Sequence, residues 1–360
     1  MGKFGQKQEA TMKKGYLVLQ DGQVFEGVRF GAMNDTVGEL VFNTSVVGYV
    51  ETLTDPSYAG QIVMQTYPLI GNVGVIHEDE EGACCVKGFV AREFCDAPSN
   101  FRTDCDLESW MKEQGVPGLA GVDTRELTRI IRENGVMNAM ICDEVPADLT
   151  VVKTYAITGA VETVTRKEAE VFSAEGEEVC RAAVIDCGVK KSVITNLCKR
   201  GCAVTALPAS ASAEEILAGK FDGVLVSNGP GDPAENTALI ETVKALMGKV
   251  PMFGIGLGHQ LMALAAGGTT VKLPYGHRGG NQPVRDLKGT RTYITSQNHG
   301  YTVESAGEGE IRFVNLNDQT CEGIDYTGKK AFSVQFYPDS VGDSAILYDR
   351  FVTLMKGGDL

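Results

Sequence analysis

The sequence predicts an α/β protein in two parts, a sheet-rich first domain followed by a mostly parallel, doubly wound sheet. Three observations carry this prediction. Up to about Cys142 the chain shows short β-rich runs, such as Tyr16-Leu17-Val18-Leu19 and Leu40-Val41-Phe42, punctuated by Gly, Asn and Asp turn signals. From Cys180 onward, apolar strands alternate with amphipathic helices, the pattern of parallel β-α-β units with right-handed crossovers. At 360 residues the chain is too long for one ordinary core and suits two.

Residues 1–12 are polar and read as a disordered start, apart from the fold. The first domain spans 13–145. Its clearest helix has Asp123 as N-cap, Glu126 three residues later as a capping-box partner, an apolar stripe of Leu127, Ile130 and Ile131, and Gly135 as a stop. Between 146 and 179 periodicity fades and charge rises, as in a linker. The second domain, 180–360, begins with a strand at Ala182–Asp186, a helix from Lys190 to Arg200 and a strand at Ala203–Leu207. Strands follow at Gly223–Val226 and Pro251–Ile255, with a helix between them near Thr237–Met247. Ligands of such sheets bind at the carboxyl ends of the strands, which directs attention to Ser227–Asp232 and Gly254–Gln260.

Composition narrows the function classes. A formal charge of −14 opposes nucleic acid and anionic membrane as partners, and no apolar run reaches the ~18 residues of a membrane span. Ten cysteines without a regular framework suit a reducing cytoplasm, and no second cysteine pair stands at zinc-ligand spacing, so no metal is expected in this chain.

Two turns carry chemical interest. Ser227-Asn228-Gly229-Pro230-Gly231-Asp232-Pro233 is a rigid turn after a strand, suited either to presenting backbone N–H groups to a ligand oxygen or simply to reversing the chain. Gly254-Ile255-Gly256-Leu257-Gly258 has the layout of a nucleophile elbow, in which flanking glycines expose a central side chain above the sheet. Here the central residue is itself glycine. Gln297-Asn298-His299-Gly300-Tyr301 and Gly276-His277-Arg278-Gly279-Gly280-Asn281 suit binding loops or hairpin turns about equally.

In order along the chain, these segments resemble the class I glutamine amidotransferase domain, and the first half resembles one branch of it. Phe42-Asn43-Thr44-Ser45, Gly48-Tyr49 and Leu53-Thr54-Asp55-Pro56-Ser57-Tyr58 are similar to the carbamoyl-phosphate synthetase small subunit. So are Thr66 to Gly74, Ser99-Asn100-Phe101-Arg102 and Asp123-Thr124-Arg125. The resemblance implies that a cysteine attacks glutamine, a histidine relays protons and a glutamate orients it. It also implies that the ammonia passes to a large subunit, which makes carbamoyl phosphate from bicarbonate and ATP for pyrimidine and arginine synthesis. Its positions for that triad are Gly256, Tyr337 and Asp339 here, and Phe336 stands where it sets a glycine.

Gly256 offers no attacking atom, and a phenol with a reference pKa near ~10 is a poor base. The positions that the resemblance assigns to glutamine binding are Ser45, Gly229, Gly231, Leu257, Gln260, Asn298, Gly300 and Tyr301, with the N–H groups of Leu257 and Gly231 as oxyanion donors. Phe336 and Tyr337 have the bulk to fill that pocket. The expectation is therefore a small subunit without glutaminase activity, a structural or regulatory partner of the large subunit, in which ATP and metal ions would reside. The alternatives are a stand-alone sensor of glutamine or a related metabolite, and an amidase using another nucleophile.

Overall fold

The computed structural model describes residues 13–338 and 345–359; the polar start and Asp339 lie outside the described residues. The chain forms two compact units, which interleave along the sequence. The first comprises the described part of 1–42 with 61–78 and 86–156. The second takes 43–60 and 79–85 together with the chain from 157 onward. The second unit thus holds two early segments besides the later domain, so the division is not a single cut in the segment 146–179.

The first unit is a closed barrel of seven strands among the described residues, in the order Lys14–Leu19, Val24–Gly31, Pro117–Ala120, Gly88–Val90, Gln61–Gln65, Thr36–Asn43 and Met137–Cys142. Alternating burial in Met137–Cys142 puts Met137, Ala139 and Ile141 inside, the period-2 pattern of a strand with one face in the core. The helix Thr124–Asn134 forms as its sequence requires. The Asp123 side chain accepts from Glu126 N–H at 3.0 Å, Leu127, Ile130 and Ile131 are buried, and Gly135 ends it at φ 85°. The capping is one-sided, because the Glu126 carboxylate turns to Arg129 instead.

The second unit is built on a ten-stranded sheet. Its parallel centre runs Cys202–Pro208, Cys180–Asp186, Gly223–Val226, Met252–Ile255 and Ala331–Val334. Apolar clusters cover both faces, one around the helices Thr237–Leu246 and Leu257–Ala265, the other around Lys191–Cys198 and Ile346–Met355. Fully buried strands with helices on both sides explain the near-continuous apolar runs of these segments.

Two expectations are corrected. The expected linker includes a strand, Glu170–Phe172, which joins the sheet edge antiparallel to Cys202–Pro208. The segments 276–281 and 297–301 are not loops or hairpin turns but lie inside two long paired strands, Thr269–Asp286 and Thr292–Ser305. Register shifts between Lys272 and His277 and between Gly279 and Gln282 absorb the glycines as bulges.

Candidate functional site

The elbow survives in the backbone. Gly256 sits between the strand Met252–Ile255 and the helix Leu257–Ala265 at φ 58°, ψ −112°, a conformation that costs an L residue about 1–3 kcal/mol. Gly258 is required for a different reason, since a Cβ there would lie 2.0 Å from Val226 O. A Cβ at Gly256 would meet Asn228 Cβ at 3.3 Å and Cα at 3.4 Å, a tight fit in which Asn228 has to yield slightly. The strand-turn-helix layout is that of an elbow with a glycine at its apex.

Asn228 starts a run of hydrogen bonds away from Gly256. Its Nδ2 donates to Gly188 O at 2.8 Å and to Ser57 Oγ at 3.0 Å. The Tyr337 hydroxyl stands 3.3 Å from the same Ser57 Oγ and donates to Asp55 Oδ2 at 2.8 Å. Asn298 Nδ2 donates to that oxygen at 2.9 Å, and Asp55 Oδ1 accepts from Ser57 N–H at 2.9 Å. Asp55 is therefore held from three sides. Lys190 Nζ lies 4.4 Å from the Tyr337 ring centroid and 3.0 Å from Glu81 Oε1. Burial, and then the Asp55 charge, push the Tyr337 phenol well above its ordinary pKa. At neutral pH this residue is a hydrogen-bond donor and cannot act as a base.

A cavity of about 670 Å³ opens beside this network, within the usual range for small-ligand sites. Ser45, Asn298 and Tyr337 line it, together with Asp55, Glu81 and Lys190. The other assigned positions are not among its lining residues. Gln260 Nε2 donates to Tyr301 O at 2.7 Å and to Gln335 Oε1 at 2.9 Å. Leu257 opens the helix after the elbow, and Gly231 follows the strand Gly223–Val226 with φ 86°. Gly229 packs where a Cβ would lie 2.2 Å from Cys187 O, and Gly300 where one would lie 3.1 Å from Arg278 Nη2.

Phe336 does not fill the cavity, contrary to expectation. Tyr337 lines the cavity, while Phe336, in the bend after Val334, turns into the core, edge-on to Phe313 with centroids 5.7 Å apart. Asp55, Ser57, Asn228 and Lys190 were not singled out from sequence as partners of Tyr337. The segment Leu53–Tyr58 drew notice only as part of a resemblance, and the cap at Asp55-Pro56-Ser57 is the local signal that fixes its carboxylate.

Neither Ser227 nor Cys187 has a base beside it among the described residues. Ser227 Oγ is buried, donating to Asn228 O and accepting from Cys187 N–H. Burial pushes the Cys187 thiol far up, which leaves it unreactive. Of the four histidines, His77 belongs to the first unit, and His259 is buried on Ser333 with its pKa lowered to about 3 by desolvation. His277 and His299 bond to Asp318 and to Tyr301 O and Gln297.

Comparison with known proteins agrees with this architecture. Residues 17–141 match the family described as carbamoyl-phosphate synthase small chain, CPSase domain, and residues 183–354 match glutamine amidotransferase class-I. The carbamoyl phosphate synthase small chain of Bacillus caldolyticus is 46% identical over 358 residues, covering 95% of this chain and 97% of that one. That of Clostridium perfringens is 47% identical over 348 residues, covering 94% and 99%.

Proposed function

Because this chain belongs to the carbamoyl-phosphate synthase small-chain family, we propose that it takes the small-chain place beside a large synthase subunit while contributing no glutaminase of its own. The observation that carries this is the pair at the elbow and behind it. Gly256 keeps the turn without an attacking atom, and Tyr337 spends its hydroxyl proton on Asp55. Acyl transfer from glutamine needs a nucleophile that attacks the amide carbon and an acid that protonates the leaving ammonia. Loss of such a group from a catalytic triad costs several powers of ten in rate, and combined losses leave little more than background.

In this reading the large subunit works on free ammonia, bicarbonate and ATP, its metal ions and nucleotide remain its own, and the complex serves pyrimidine or arginine synthesis in the cytoplasm. The described residues contain no helix long and apolar enough to cross a membrane. The test is glutamate release from glutamine by the purified chain, alone and with the large subunit. Release that stays at the buffer rate, with joint elution of the two subunits on size exclusion, supports the proposal. Activity that follows the chain through purification overturns it.

The cavity favours a second role on the same scaffold. Ser45, Asn298 and Lys190 offer polar groups of the kind that hold an amino acid, so the chain retains a place for glutamine or a similar metabolite even where it cannot cleave it. Calorimetric titration with glutamine, without the large subunit, separates this sensing role from a purely structural one.

A further inference from the structure

Three strands of the second unit bring a second cluster together, apart from the Tyr337 network. His277 and His299 are cross-strand partners, their rings edge-to-face with centroids 4.9 Å apart. Glu322, on the strand Cys321–Tyr326, places Oε1 3.4 Å from His277 Nδ1. All three residues are buried, and one donor atom from each lies within 4.8 Å of the others. Because each comes from a different strand, no spacing in the sequence announces them.

We propose that His277, His299 and Glu322 bind one divalent cation of the zinc class, with Gln297 Oε1 as the adjacent fourth donor. The outer contacts are those that metal ligands need. His277 Nε2 meets Asp318 Oδ2 at 2.8 Å, His299 Nδ1 meets Tyr301 O at 2.8 Å, and Glu322 Oε2 accepts from Gln297 Nε2 at 2.9 Å. Each ligand has one atom held from outside, which sets ring orientation and tautomer, while on the inner side Asn315 Nδ2 donates to Glu322 Oε1 at 3.2 Å and stands 3.5 Å from His277 Nδ1, a contact that a bound ion would displace. The 3.4 Å between His277 Nδ1 and Glu322 Oε1 is also a ligand-to-ligand spacing. Two donors ~2.0–2.1 Å from a tetrahedral zinc ion stand roughly 3.4 Å apart.

With Glu322 ionised, hydrogen bonding alone leaves this cluster one proton short. A neutral imidazole has a single N–H, yet His299 faces two oxygens, Tyr301 O and Gln297 Oε1, the latter 2.9 Å from Nε2. Turning the Gln297 amide over would offer the ring a donor but would aim the amide oxygen at Glu322 Oε2. Charging His299 would bury a cation beside a second imidazole. A divalent ion removes the conflict: His299 Nε2 and Gln297 Oε1 both become its donors, and the remaining N–H serves Tyr301 O. Two imidazoles and one carboxylate select zinc and its neighbours over magnesium or calcium, which prefer all-oxygen shells. Asp318, 39% exposed at its side chain, lies on the route by which an ion would enter. Gln297 also lines the 670 Å³ cavity, so a bound ion would fix one of its wall residues next to Asn298.

The experiment uses the full chain, freed of metal with chelator, and titrates it with zinc and with cobalt(II). The expected result is one equivalent bound per chain, a higher Tm with zinc, and a cobalt spectrum of four- or five-coordinate nitrogen and oxygen ligation without a thiolate charge-transfer band. Glu322→Gln keeps the shape of the side chain and should weaken binding at least tenfold. Asp318→Asn, outside the ligand set, should weaken it about tenfold. Absence of stoichiometric binding to the folded wild-type chain, a thiolate band, or unchanged affinity in Glu322→Gln would overturn the proposal. The wild-type titration and spectrum decide the matter even where a variant fails to fold.

Discussion

Tyr337 donates its hydroxyl proton to Asp55 Oδ2 at 2.8 Å, and Asn298 Nδ2 approaches the same oxygen at 2.9 Å, so a phenol and an amide share one buried carboxylate oxygen. Removing that donor should be felt in stability. Tyr337→Phe keeps the ring under Lys190 but leaves the buried Asp55 with one partner fewer, a loss of about 1.5–3 kcal/mol for a hydrogen bond to a charged group. Urea unfolding should show a lower midpoint at unchanged slope. A midpoint equal to wild type would mean that the contact contributes nothing.

The same residue sets an alkaline limit. The folded-state pKa of Tyr337 is raised by burial and by Asp55, so above the unfolded value near ~10 the unfolded chain loses its proton first. Its contribution is complete below that pH and is lost as pH climbs toward the folded value. Stability measured from pH 9 to 11 should fall less steeply in Tyr337→Phe than in wild type; parallel slopes would contradict the assignment.

His259 sets an acid limit of opposite sign. Its pKa is about 3 in the folded chain, against ~6.5 unfolded, because the ring is buried with Nδ1 on Ser333 Oγ. As pH drops below ~6.5 the unfolded chain gains a proton that the folded one refuses, and stability falls by up to ~1.4 kcal/mol per pH unit until about pH 3. His259→Gln should flatten the profile between pH 6 and 4, read from unfolding curves at each pH. A profile as steep as that of wild type would count against a neutral buried ring.

Much of this architecture could be read from the residues, and the exceptions share a cause. The helix capped by Asp123 and the parallel strands around Gly223–Val226 depend on local signals, spacing and caps, which a sequence displays. The stretches 276–281 and 297–301 were misread because glycine and polar residues signal turns locally, whereas pairing of His277 with His299 across two long strands is a non-local event. The elbow turn was legible from the glycines Gly254, Gly256 and Gly258. What holds Tyr337 was not, since Asp55 and Asn298 are far from it in the chain, and neither residue type announces its partner. The direction of Phe336 likewise depends on a core that only the fold defines.

That direction bears on Phe336→Gly, a change that bulk alone would recommend for opening a pocket. The ring packs on Phe313 in the core and does not line the cavity, so its removal should leave ligand affinity unchanged and cost about 3–5 kcal/mol, as large-to-small aromatic changes do. Thermal unfolding and glutamine titration of the variant check the two halves separately. Tighter glutamine binding at unchanged Tm would reverse the conclusion.

Building a triad at these positions tests the proposed absence of glutaminase activity and its cause. Gly256→Cys fits only tightly, with Asn228 Cβ 3.3 Å from the new Cβ, and costs about 1–3 kcal/mol for φ 58°. Its thiol, without an imidazole, keeps a pKa near ~8.5 and stays mostly protonated at neutral pH, so glutamate production should remain near background. Tyr337→His supplies the base and the acid for the leaving ammonia, while freeing Asp55 from the phenol. The double variant should therefore exceed the product of the two single effects, the signature of groups that act as a unit. Asp339→Glu should add a smaller increment, because the resemblance assigns that position only to orienting the imidazole. The assay is glutamate release by each variant with the large subunit present. Full turnover from Gly256→Cys alone would show that some other group supplies the base. No turnover from the triple variant, with its fold intact by circular dichroism, would show that these positions are not the site of the chemistry.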